Sequence, residues 1–296
     1  MIVENDLPFI RREHTDSLFA AINQAVNSRS IITIGAHYGR GLSRLLREWV
    51  MHEPKDVQPN QVVLVQLMDP EMVSFRNMKL MTPAALLLMW ETCYALRGLT
   101  KAQRSDSDRS TLAKGGSDYS ESRFLQLCAE LRTLAKKLQL RAIVIDNAHH
   151  VDDRGLRKLM EPRDHCEYKF AIILGYQMRN HAKPAERIHK VLEEGGAFDQ
   201  WADSLVLESM EEHEFYDTIL PELYLALDTE FNRDIEAAVE RFQSKLWAHT
   251  GGNWHQIERI ATLFDQDLGP KSENARIITG EVEARVYQRL DKVRRN

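Results

Sequence analysis

The stretch Ile31–Ser43, IITIGAHYGRGLS, decides the fold. Its apolar start (Ile31, Ile32, Ile34) reads as a strand, and it ends in a glycine-bearing turn. Leu45, Leu46, Trp49 and Val50 then recur at helix spacing. Strand, glycine turn and helix make the layout of a phosphate-binding loop, where backbone N–H groups and a helix N-terminus surround an anion. Against the pattern G-x-x-x-x-G-K-[ST], Gly41 and Ser43 match, and Gly39 matches an extra glycine common in such loops. Ala36 replaces the first glycine, with Gly35 beside it, and Leu42 replaces the lysine. In a working loop the lysine neutralises phosphate charge and the Ser/Thr holds magnesium. Leu42 therefore separates two functions: hydrolysing a nucleotide, or keeping only the shape of a protein that does. Arg40 is near enough in sequence to supply a positive charge, with a geometry different from lysine's.

A second segment, RAIVIDNAHH (141–150), places Asp146 at the end of an apolar strand. This is the Walker B layout, in which the aspartate assists magnesium. The glutamate that would follow and activate the attacking water is here Asn147. Asparagine keeps the shape of the acid and cannot accept a proton at neutral pH.

Working outward, DSLFAAINQAVNS (16–28) has Leu18, Ile22 and Val26 on one helical face. VVLVQL (62–67) is a near-continuous apolar run, as expected for a strand buried on both faces. Helices are predicted over about 82–98 and 122–139, and a short one around 156–160. Strands are predicted over 141–146, 170–174 and 204–207. The segment 101–121, polar and rich in Ser and Gly, reads as a mobile loop. After Met210 the pattern becomes helical, over 211–227, 234–249, 253–268 and 280–293. Gly251-Gly252 can end one helix and Asn253 cap the next, while Thr279 can cap the last. The expected architecture is an α/β domain with a parallel sheet flanked by helices (1–209), followed by an α-helical lid (210–296).

Composition sets outer bounds. The 296 residues are 43% hydrophobic and 28% charged, ordinary for a globular protein. No run approaches ~18 consecutive apolar residues, so no membrane span or membrane partner is expected. The N-terminus lacks the pattern of a secretory signal. Cys93, Cys128 and Cys166 are odd in number, far apart and without metal spacing, which fits a reduced, cytoplasmic protein. A net charge of -5 argues against a uniformly basic coat, though not against a local basic strip.

Taken together, these segments resemble AAA+ ATPases, in particular the compact bacterial group of transposon target-selection ATPases (the TniB, TnsC and MuB kind) and ATPases of the ExeA kind. The resemblance covers nearly the whole chain. It includes FIRREHTDSLFAAINQAV, the two Walker-like segments, FAIILGY as the sensor 1 strand, FDQWADSLVLESM leading into the lid, HTGGNWHQIERIATL as the sensor 2 region and IITGEVEARVY as the last lid segment. It implies an oligomeric P-loop protein, with Gly39, Arg40, Gly41, Leu42, Ser43, Asp146 and Asn147 at the nucleotide. If nucleotide binds, Ser43 and Asp146 would hold magnesium, so ATP and Mg are the cofactors in question. The departures point one way. Gly195, Gly196 and Ala197 precede Phe198 where an arginine finger is expected, and Arg187 lies upstream. Trp254, His255 and Gln256 stand where sensor 2 would carry a basic residue, with Arg259 one turn later. Gln177 is the nearest polar candidate for sensor 1.

Three readings follow. The first is an AAA+ protein with impaired or absent hydrolysis, and no catalytic residue. It would act as a scaffold or adaptor in a DNA-linked assembly such as transposition target selection. Its partners would be its own copies or related AAA+ subunits, and a transposase-like or target-selector protein. The second is an active DNA-stimulated ATPase that uses Arg40 for the missing lysine. The third is a protein-only interaction module. Other signals are weaker. His149, His150, Asp152, Asp153, His165 and Cys166 match no metal spacing and read as a solvated loop. The basic groups Arg11-Arg12, Arg40/Arg44/Arg47, Lys136-Lys137 and Lys292/Arg294/Arg295 read one by one as exposed helix faces that phosphate backbones could also use. The tryptophans fall mostly on apolar faces and read as core.

Overall fold

Ile31–His37 forms β1, an interior strand of a five-stranded sheet in the computed structural model. The structure describes residues 9–53, 58, 61–67, 83–97, 117–151, 155–157, 160, 163, 169–178, 190, 193, 201–227, 229–231, 245–268, 276–278 and 280–294. The other strands are β2 (Val62–Gln66), β3 (Ala142–Asp146), β4 (Ala171–Met178) and β5 (Trp201–Leu207). Their order is β2-β3-β4-β1-β5, and every pairing is parallel. The β3 and β4 runs are buried almost throughout, as a parallel sheet covered on both faces requires. The predicted P-loop-type α/β architecture is therefore what the chain adopts. The FAIILGY strand lies between the two Walker-like strands.

Helices α1 (Glu13–Ser28), α2 (Leu42–His52), α3 (Pro83–Leu96) and α4 (Ser117–Leu138) accompany this sheet. In α2, Leu42, Leu45, Leu46 and Trp49 are buried, spaced as one face of a helix. Trp49 donates its indole N–H to Asn23 Oδ1 at 3.1 Å, which satisfies the one polar atom of a fully buried ring. Helix α4 begins at Ser117, so the last residues of the segment read as a mobile loop are helical. The polar run SDYSES carries no apolar period, so the sequence reads as loop up to the first apolar residues of the helix. Residues 101–116 lie outside the described residues.

Both α1 and α4 end in the same way. The Ser30 N–H reaches Ala25 O (2.9 Å) and the Arg29 N–H reaches Val26 O (3.3 Å); Leu140 N–H reaches Ala135 O (2.9 Å) and Gln139 N–H reaches Lys136 O (3.3 Å). These are paired Schellman bonds, and they need a left-handed residue just past the helix. That residue is Arg29 (φ 56°) in one case and Gln139 (φ 51°) in the other, where glycine would be the usual choice.

The chain divides into two compact units. The first holds the sheet and comprises Asp16–His37 and Leu42–Leu207. The second gathers Glu208–Asn296 with Tyr38–Gly41 and the residues up to Thr15. In this second unit a helical run covers Glu212–Glu214, a π-helical turn Phe215–Ile219 and α5 (Leu220–Leu227). The Leu220 N–H bonds to Phe215 O, the i to i-5 signature of the π turn. Glu211 and Glu214 form a capping box at its start, and Glu214 also pairs with the buried Arg12 guanidinium at 3.1 Å. Arg12 is thus an internal ion-pair partner rather than part of a surface basic cluster. Helices α6 (Trp254–Leu268) and α7 (Gly280–Arg294) complete the unit around Phe215, Ile219, Leu246, Ile257, Ile260, Phe264 and Val286.

The second region holds, besides its helices, a short strand pair. Thr229–Phe231 (β6) and Arg276–Ile278 (β7) pair as a short parallel ribbon. Strands of three residues leave no periodicity to read. Most of the predicted 234–249 helix lies outside the described residues, as does Thr279; residues 245–250 are helical.

Candidate functional site

The Walker-like residues fall into two clusters, one in each unit. In the sheet unit the centre is Asp146, at the end of β3 and 2% exposed. Its register partner on β2 is Gln66, whose Nε2 donates to Asp146 Oδ2 at 3.3 Å. The Asn147 N–H donates to Oδ1 at 2.9 Å, and the Ser43 hydroxyl also bonds to this carboxylate. Burial raises the Asp146 pKa. The bonds from Ser43, Gln66 and Asn147, and the positive charge of Arg47, act against that rise without cancelling it. Ser43 and Arg47 sit one turn apart on α2, so a single helix face brings both to the carboxylate.

Leu42 and Asn147 are each explained by local structure. Leu42 is 9% exposed and turned against β4: a Cβ placed on Gly175 would lie 3.5 Å from Leu42 Cδ2 and 2.6 Å from Leu46 Cδ1. The position of the phosphate-gripping lysine is thus occupied by a core side chain. Asn147 adopts a left-handed conformation (φ 61°), which asparagine tolerates better than glutamate does. Its Nδ2 donates to Leu67 O at 3.2 Å, pinning the end of β2 to the end of β3. Gly35, adjacent to the missing first loop glycine, has a packing reason of its own. A Cβ there would sit 2.8 Å from the Tyr176 hydroxyl. Gln177, the candidate for sensor 1, donates its backbone N–H to His149 Nδ1 at 3.2 Å. In its neutral form His149 then carries its proton on Nε2.

The second cluster is the turn itself, Tyr38–Gly41, packed within its unit against Gly251–Trp254. Trp254 N–H donates to Gly39 O at 2.7 Å. Asn253 Nδ2 donates to Tyr38 O at 3.3 Å, while Asn253 Oδ1 accepts from the Gln256 N–H at 3.3 Å and so caps α6. Arg40 Nη1 reaches the carbonyls of Gly251 and Gly252, each at 3.3 Å. Burial, and after it the nearby Arg12 charge, lower the Arg40 pKa. Gly39 (φ 78°) and Gly41 (φ 86°) both need their glycines. The space that a side chain would take on Gly39 is filled by the Asn253 amide, 2.1 Å from an ideal Cβ, and that on Gly41 by Trp254 Cδ1 at 2.8 Å.

These geometries test the expected cofactor. Ser43 and Asp146, hydrogen-bonded to one another, are a donor set that suits the hydration shell of Mg²⁺. The turn does not fit a triphosphate: its hollow holds Asn253, and Arg40 turns Nη1 to two carbonyls of its own unit. Asn253 and Trp254 had been readable as cap and first residue of a helix, but nothing in their spacing announces contact with residues more than 200 positions earlier. The region of Arg187 and Gly195–Phe198 lies outside the described residues.

The sequence matches no protein-family model and no curated protein. Solved structures similar in chain path include two of Drosophila ORC. One is bound to GC-rich DNA and Cdc6, with TM-score 0.46, 10% identity, and coverage of 86% of this chain and 38% of that chain. The other is bound to AT-rich DNA and Cdc6, with TM-score 0.47, 11% identity and the same coverage of 86% and 38%. This chain thus spans 38% of the length of the chains it matches. Neither likeness bears on function.

Proposed function

We propose that this chain is an AAA+-type protein that does not turn over ATP and works as an oligomeric scaffold or adaptor in a DNA-linked assembly, of the kind that selects transposition targets. One observation carries the loss of turnover: the phosphate turn is held by its own polypeptide. Gly39 O, Tyr38 O and the Arg40 guanidinium are all bonded to the Gly251–Trp254 segment. Phosphoryl transfer depends almost wholly on positioning and charge neutralisation. A leucine for the lysine and an asparagine for the glutamate remove two of the groups that supply them. The same bonds speak against Arg40 standing in for lysine. The DNA-linked setting rests on the resemblance of the sequence to target-selection ATPases.

Calorimetric titration of Mg·ATP into the full chain tests the closed turn. The expected result is no saturable heat at millimolar nucleotide. Saturable binding that is lost in Ser43→Ala would overturn it.

A further inference from the structure

We infer that the end of the sheet where the strands begin is a docking surface for the phosphate backbone of double-stranded nucleic acid. Arg29 precedes β1, Arg141 precedes β3 and Lys169 precedes β4, and these three strands are neighbours. At ~4.8 Å between strands they set three cations across about 10 Å. Lys136 and Lys137 close α4 and hand the chain through Gln139 to Arg141. Arg29, Lys136, Lys137 and Lys169 are exposed, and Arg141 is half-buried. Among the described residues, the turn after α2 brings an acid, Glu53, to the same end. Five cations on one edge of a chain whose net charge is -5 form a local positive field, which attracts a polyanion whatever its sequence.

Each cation alone has a plain explanation, since lysines favour the last turn of a helix. Arg29 does not. It occupies a left-handed position (φ 56°) where glycine would relieve strain. Its carbonyl is gripped by the buried Arg163, which also donates Nε to Phe170 O at 2.7 Å and so ties the entry of β1 to the entry of β4. Arg141 Nη2 bonds to Asn27 Oδ1 at 3.0 Å, two residues before Arg29. That bond uses one of five guanidinium donors and ties the entry of β3 to the end of α1. A strained, exposed arginine at the end of α1, two residues past the one that bonds Arg141, is a feature that stability alone does not favour.

The surface locates the DNA-linked part of the reading above and rests on it, but uses none of the residues of the phosphate turn. The test is fluorescence anisotropy of a random-sequence DNA duplex with the full chain, across a salt series, with thermal melts of each variant. Arg29→Gly is expected to melt higher than the parent and yet bind about threefold to tenfold more weakly, with its salt slope reduced by about one. Lys136→Glu/Lys137→Glu should weaken binding further. Gln139→Gly, the same backbone relief at the end of α4, should melt higher with binding unchanged. If the parent binds duplex and the Arg29 and Lys136/Lys137 variants bind equally well, this surface is wrong while the DNA-linked reading stands. If the parent fails to bind at low salt, both fall. If the variants lose self-association and keep duplex binding, the edge serves another copy of the chain, and the proposal is overturned.

Discussion

At the scale of single residues, two positions bear most directly on the proposed loss of turnover. Gly39 shows the turn closed from within. A methyl group there would meet the Asn253 amide and would also force an L-residue to φ 78°. Gly39→Ala should therefore cost about 2–4 kcal/mol, from overpacking and backbone strain together. Gly251→Ala, with nothing within 4 Å of its new methyl, should cost only the left-handed strain of about 1 kcal/mol. Chemical denaturation of the two variants checks the difference, and equal losses would mean that Asn253 does not occupy the turn. Asp146 is the counter-example, a carboxylate kept although burial disfavours its charge. Its folded pKa is raised, so the folded state holds the proton more tightly than the unfolded one. Stability from this group is full below about pH 4, falls as pH rises through the raised value, and stays reduced above it. Asp146→Asn keeps the acceptor for the Asn147 N–H, and Ser43 and Gln66 can reorient. It should melt higher than the parent at pH 7 and lose that part of the acid-to-neutral decline. Parallel melting curves from about pH 3 to pH 8 would contradict the assignment.

At the scale of elements, the strands and their helices were legible because long apolar runs and helix-spaced leucines leave strong periodic signals. Trp49 is the anchor of one such helix. Trp49→Ala should cost about 3–5 kcal/mol, read by denaturant unfolding, because it empties a fully buried site and strands the Asn23 amide. What could not be read were features without period. The β6–β7 ribbon is too short to alternate. The polar start of α4 has no apolar repeat to set a helical period. The π turn at Phe215–Ile219 differs from an α-helix by one residue in register. Leu42 and Asn147 were readable as losses of chemistry. Their positive roles, core contact with β4 and a left-handed link to β2, depend on partners that sequence spacing does not supply. The Schellman ends of α1 and α4 belong to the same class. Their left-handed residues are Arg29 and Gln139, and neither carries the glycine that marks such an end.

At the scale of the whole molecule, the fold is a parallel α/β sheet of P-loop type, and Leu42 and Asn147 have structural contacts of their own. Among the described residues no helix is long and apolar enough to cross a membrane. Charge is divided unevenly: residues 208–296 carry 18 acidic and 11 basic side chains, so the remainder of the chain is slightly basic. That division is what a protein needs if one region meets a polyanion and another does not. A DNA-stimulated ATPase assay on the full chain decides whether this P-loop-type fold turns over ATP. Phosphate release is expected at the no-enzyme rate with and without duplex, unchanged in Asp146→Ala and Arg40→Ala. Robust release that either substitution abolishes would contradict it.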